Sequence, residues 1–157
     1  MMDKFEESVK DLEQSILEDM KTLHSEKTIE HFLNPRNLGR ITTPDGFASV
    51  TDAHGHTMEI SLKVKDGKVM NASFWTDGCG CSIASGSVVT ELAKGKGVLD
   101  ARKIRQQDIV NALGGLPADD LHCAVLAADT LKQAIKDYLA SNREPWKRAY
   151  RRGRTCE

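Results

Sequence analysis

Between Thr57 and Thr76 the chain spells out a β-hairpin, and no other feature constrains its fold as tightly. Met58, Ile60, Leu62 and Val64 alternate with Thr57, Glu59, Ser61 and Lys63, which gives a strand one buried and one solvated face. Asp66-Gly67 supplies the turn, because these residues tolerate the positive φ values of a tight hairpin, and Val69 to Thr76 returns as the partner strand. Phe47 to Asp52 is a candidate third, edge strand. Such a sheet is antiparallel, and its apolar face needs a cover.

The flanking segments supply helices for that cover. Phe5, Val9, Leu12, Ile16, Met20 and Leu23 fall on one stripe of an amphipathic helix whose other faces are Glu, Asp and Lys. Ser25 can cap a short helix, Glu26 to Leu33, which Asn34-Pro35 ends because a residue preceding proline is pushed out of the helical region. Asn34 to Gly46 reads as a surface connection. Ser82 to Lys94 is small and apolar enough for a helix packed closely on the sheet, ended by Gly95 and Gly97. A short helix is expected near Asp108 to Leu113. Leu121, Val125, Ala128, Leu131, Ile135 and Tyr138 then mark the main C-terminal helix, Leu121 to about Ala140, with Pro117 and Asp119/Asp120 at its start. Strands followed by helices make the fold class α+β. The expected division is a helical extension at 1–24, one compact domain at 25–141 and a basic tail at 142–157.

A chain of 157 residues, 39% apolar and 29% charged, is long enough for one real core. Its net charge of -1 argues against a globally basic nucleic-acid binder. That total conceals opposed ends: residues 1–30 carry nine acids and four lysines, and residues 143–157 carry six bases and two acids. Trp146, Tyr150, Arg148, Arg151, Arg152 and Arg154 form a basic, aromatic tail that can grip RNA or an acidic partner, although neutralisation by the acidic N-terminal helix, or simple solvation, is the commoner outcome. No apolar run approaches the ~20 residues of a membrane span, and MMDKFEESVK lacks an apolar signal core, so a soluble, cytoplasmic protein is expected. The N-terminal stripe either packs on its own domain or pairs subunits into a homo-oligomer.

Four cysteines, Cys79, Cys81, Cys123 and Cys156, are too few for a disulfide framework and read better as metal or redox groups. Cys156 is expected to be an exposed free thiol. The soft donors gather in Asp52-Ala53-His54-Gly55-His56, Gly78-Cys79-Gly80-Cys81 and Leu121-His122-Cys123, each at an element boundary. Meeting at one end of a sheet, they can deliver a tetrahedral nitrogen and sulfur set for zinc or an iron–sulfur cluster. A helix N-terminus should also favour the Cys123 thiolate. Equally, Cys123 can be a small core residue, and His54 and His56 solvated turn residues. Spacing leaves both readings open.

At these segments the chain resembles the IscU/NifU N-terminal family of iron–sulfur cluster assembly scaffolds, from about Ser25 to Ser141. The likeness is carried by Asn34-Pro35-Arg36-Asn37-Leu38-Gly39, by Gly78-Cys79-Gly80 with Ser82 to Ser87, by Val89-Thr90-Glu91 and Lys94-Gly95-Lys96, and by Leu116-Pro117 leading to His122 to Ala127. It implies a three-stranded antiparallel sheet covered by helices, with a cluster or zinc at one end. It also implies a platform, not an enzyme in the turnover sense, on which sulfur from a cysteine desulfurase and iron form a labile 2Fe–2S cluster for apo-proteins. By the same resemblance Cys79, His122 and Cys123 are site residues, and Cys123 usually receives persulfide sulfur.

Three positions depart from the family's site. His54-Gly55-His56 replaces Cys-Gly-Asp, and Cys81 stands where a small non-ligand is common. Leu116-Pro117 is followed by acidic Ala118-Asp119-Asp120, which weighs against recognition by an Hsp70-type chaperone. The expected ligands are therefore His54, Cys79, His122 and Cys123, with His56 and Cys81 in reserve and Cys123 or Cys79 as persulfide acceptor. The alternatives are a zinc-binding regulatory or adaptor protein that has lost assembly, and a thiol-dependent sulfur transferase.

Overall fold

The computed structural model describes residues 3–143; the aromatic and basic tail and Cys156 lie outside the described residues. The element order is α1 (Asp3–Leu23), α2 (Glu26–Leu33), β1 (Gly46–Thr51), β2 (Thr57–Lys65), β3 (Lys68–Thr76), α3 (Gly80–Ala93), α4 (Val98–Ala101), α5 (Gln106–Ala112), a 3-10 turn (Ala118–Asp120) and α6 (Leu121–Arg143). The sheet is antiparallel in the order β1-β2-β3.

The hairpin forms as its residues dictate. Asp66 and Gly67 take φ values of 54° and 74°, the twist that lets two strands meet across a two-residue loop. Ile60 faces Phe74 and Leu62 faces Ala72 across the ladder, and all four are fully buried. Helices α3 and α6 cover this apolar face. The cover is close: a Cβ on Gly86 would overlap the Phe74 ring, and one on Gly46 would lie 2.6 Å from the Ala134 carbonyl oxygen. The edge strand ends one residue earlier than its apolar pattern suggests. Asp52 leaves the ladder because its carboxylate accepts the backbone N–H groups of His54 and His56, both at 2.9 Å, and so bends the chain into a turn.

Ser25 caps α2 as expected, its hydroxyl accepting the Thr28 N–H at 3.1 Å while donating to the Leu113 carbonyl. The third helix begins at Gly80, earlier than its apolar pattern suggests, with Cys79 as the N-cap residue. Helix α4 has only four residues, too few to show a period, and is visible only in the structure. α1 meets the rest of the described chain chiefly at α2. Of the two expectations for its stripe, packing on the same domain is not what the described residues show: Phe5, Leu12 and Ile16 are 76%, 62% and 50% exposed.

Candidate metal centre

Three connections arrive at the same end of the sheet. The β1–β2 loop is held by Asp52, whose N–H also bonds the His56 carbonyl at 2.9 Å, with Gly55 at a φ of 81°. The β3–α3 connection is tied to β2 by the Thr57 N–H, donated to the Asp77 carboxylate at 2.8 Å. Gly78 fits because a Cβ there would come within 2.5 Å of the Ser82 hydroxyl. The first turn of α6 brings His122 and Cys123 to the same place.

Exposed Cys79 and fully buried Cys123 have their sulfurs 3.8 Å apart. That is far too long for a disulfide, whose sulfurs are about 2.05 Å apart, and it equals the separation of about 3.8 Å for two sulfurs on one tetrahedral ion at about 2.3 Å. His122 Nε2 lies 3.5 Å from the Cys123 sulfur, again close to the spacing of about 3.6 Å for nitrogen and sulfur on one such ion. Ser82 Oγ donates to the Cys123 sulfur at 3.4 Å and lies 3.8 Å from that of Cys79. The resemblance motif contained Ser82, but only the turn of α3 places its hydroxyl between the two thiols.

The imidazoles flank this pair. The exposed His54 ring sits 4.4 Å from the His122 ring, centroid to centroid, and that of half-buried His56 sits 5.9 Å from it. Donor atoms of Asp52, His56 and His122 all lie within 4.8 Å of one another. Asp52 Oδ2 and His56 Nδ1, 3.9 Å apart, are buried without a hydrogen-bond partner, so a cation between them would satisfy both. His56 thus has a tighter donor neighbourhood than a reserve role implies, and Asp52, which opens the same donor segment but was not among the expected ligands, joins it. Cys81 turns elsewhere: its sulfur lies 3.9 Å from His24 Nδ1.

Electrostatics separates the acids from the thiols. Burial pushes the Asp52 carboxyl up, but the two backbone N–H donors and the neighbouring imidazoles outweigh it and hold the group below the usual carboxylate range. Burial also pushes the Cys123 thiol up, to about 12; the Ser82 hydrogen bond offsets this in part and nearby Cys79 adds to it. The helix N-terminus does not prevail over burial here, so Cys123 in the metal-free protein is a neutral thiol.

A small antiparallel sheet under two helices, with a cradle of thiols and imidazoles at one end, defines an α+β domain with a soft-donor site. The family described as NifU-like N terminal domain matches residues 23–145, and the chain belongs to it. The iron-sulfur cluster assembly scaffold protein IscU 1 of Archaeoglobus fulgidus is 45% identical over 121 residues, which are 76% of this chain and 79% of that one. IscU of Escherichia coli (strain K12), named as a scaffold of the same kind, is 44% identical over 120 residues, 73% of this chain and 93% of the relative. The crystal structure of a nitrogen-fixing NifU-like protein (N-terminal) from Brucella abortus superposes with a TM-score of 0.58 at 20% identity, covering 74% of this chain and 94% of that one. A scaffold protein for the SUF system from Fervidobacterium islandicum AW-1 gives 0.58 at 18% identity, covering 71% and 96%. These two share the fold.

Proposed function

We propose that this chain is a scaffold on which an iron–sulfur cluster is assembled and from which it is handed to apo-proteins. The observation that carries the reading is the Cys79–Cys123 pair, 3.8 Å apart beside His122, in a chain 44–45% identical to proteins named for that role. Cys79, His122 and Cys123 bind iron, and the imidazoles of His54 and His56 with Asp52 complete the set in place of a third thiolate. Fewer thiolates leave less negative charge on the cargo, which raises its reduction potential as histidine ligation does in Rieske centres. The division into an extension at 1–24, the scaffold domain at 25–141 and a tail at 142–157 belongs to the same proposal, with α1 as the element for self-association.

Exposure makes Cys79 the first acceptor of sulfur. Its thiolate attacks the outer sulfur of a persulfide on a cysteine desulfurase; the new S–S bond forms on Cys79 and the donor leaves as a thiolate. Cys123, once it gives up its proton to solvent base, attacks the outer sulfur on Cys79, and Cys79 leaves as the thiolate. Each sulfur needs two electrons from an external reductant to become sulfide, and the chain supplies positions, not turnover chemistry.

Anaerobic incubation with ferrous iron, sulfide and thiol should produce visible sulfur-to-iron charge-transfer absorption that Cys79→Ala abolishes. No such absorption in the unmodified chain refutes the cluster role. The same tetrahedral spacings favour a second reading, a zinc-holding adaptor. Tight stoichiometric zinc in anaerobically purified protein that iron and sulfide fail to displace would establish it. For a sulfur transferase using Cys123 with Cys81 or Cys79 as resolving thiol, buried Cys81 faces His24 and gives no support, whereas the Cys79 sulfur lies 3.8 Å from that of Cys123.

A further inference from the structure

A second group of donors stands beside the cradle. His24 Nδ1 is 3.9 Å from the Cys81 sulfur and 3.9 Å from Asp120 Oδ2, and the three donor atoms lie within 4.8 Å of one another. Nitrogen, sulfur and oxygen on one tetrahedral zinc-class ion are about 3.3–3.6 Å apart, so a contraction of a few tenths of an ångström brings both His24 contacts to that spacing. Without an ion these contacts sit at the outer limit of hydrogen bonds and ion pairs. Cys81 is 5% exposed and the side chains of His24 and Asp120 are 16% and 25% exposed, which shields three ligands and leaves a side open for water as the fourth.

We infer that His24, Cys81 and Asp120 form a second divalent-metal site, suited to zinc-class ions and separate from the cluster cradle. The mixed donor set is that of a borderline ion such as zinc, cobalt(II) or ferrous iron. The two sites divide the same two segments: Cys79 and Cys81 face different sites, as do His122-Cys123 and Asp120. Cys79 caps α3 with extended backbone while Cys81 lies in its first turn, and Asp120 ends the 3-10 turn before α6, so the paired residues leave the backbone from different local conformations. His24 follows the last residue of α1, so an ion here ties the end of the N-terminal helix to the start of α3 and the turn before α6. The site stands on its own residues and does not depend on cluster assembly.

Cobalt(II) titration of the full chain tests this. In Cys79→Ser/Cys123→Ser/Cys156→Ser, Cys81 is the remaining thiol, and cobalt should still give thiolate-to-metal charge-transfer absorption at one equivalent, displaced by zinc. Adding His24→Ala or Asp120→Asn should weaken that binding by about tenfold or more, and adding Cys81→Ser should abolish the band. A folded triple variant without the band, or a band indifferent to His24 and Asp120, overturns the site. As a check that needs no triple variant, the unmodified chain should bind one more cobalt than Cys81→Ser; equal stoichiometry also overturns it. Loss of cluster formation with the Cys81 band intact would instead refute only the scaffold reading.

Discussion

Buried Cys123 should make the metal-free protein sensitive to alkali, and bound metal should remove that sensitivity. The native thiol is pushed up to about 12 from an ordinary 9.0, so the folded state holds this proton more tightly than the unfolded chain. Its stabilisation is therefore fully present below pH 9.0 and lost as pH rises through about 12. Three units at about 1.4 kcal/mol each amount to about 4 kcal/mol, of which about 1.3 kcal/mol disappears between about pH 8 and about pH 10. Urea unfolding of reduced, metal-free protein at those two values measures the loss, with Cys123→Ala as the reference in which other titrating groups cancel. The unmodified chain should lose about 1.3 kcal/mol more than the variant over that interval. With saturating zinc the folded state already holds Cys123 as a thiolate while the unfolded thiol still titrates at 9.0, so the excess loss should give way to a gain of similar size. Equal losses in the two metal-free proteins would refute the assignment of Cys123 as a buried neutral thiol.

Gly86→Ala should lower stability by about 1–3 kcal/mol in denaturant unfolding, because its methyl group overlaps the Phe74 ring; an unchanged midpoint would mean that α3 can back away from the sheet. Ser25→Ala removes the hydroxyl that caps α2 and should cost about 1 kcal/mol, seen as a lower melting temperature. Asp52→Ala frees the backbone N–H groups of His54 and His56 and should weaken metal binding in the cradle by about tenfold or more, with binding as tight as the unmodified chain's showing that the loop orients itself.

Much of this protein is local, and local structure is written in sequence. The alternation from Met58 to Val64, the Asp66-Gly67 turn, the Ser25 cap and the helical stripe before His24 depend on neighbours within a few residues, so residue order alone determines them. The three donor segments were legible in the same way, but spacing left their meeting open, and Cys79, His122 and Cys123 stood out only through the family resemblance. Tertiary structure decided how those donors are shared. The start of α3 at Gly80 sends Cys81 away from Cys79 and toward His24, 57 residues earlier in the chain, a separation no spacing rule spans. Asp52 and Ser82 became site residues because a turn and a helix face point their oxygens at atoms brought in by other elements. Burial raised the Cys123 thiol where its place at a helix start implied the reverse. Solvent exclusion is a property of the assembled core, so the sequence determined the donors present while the fold decided their partners, and with them their protons.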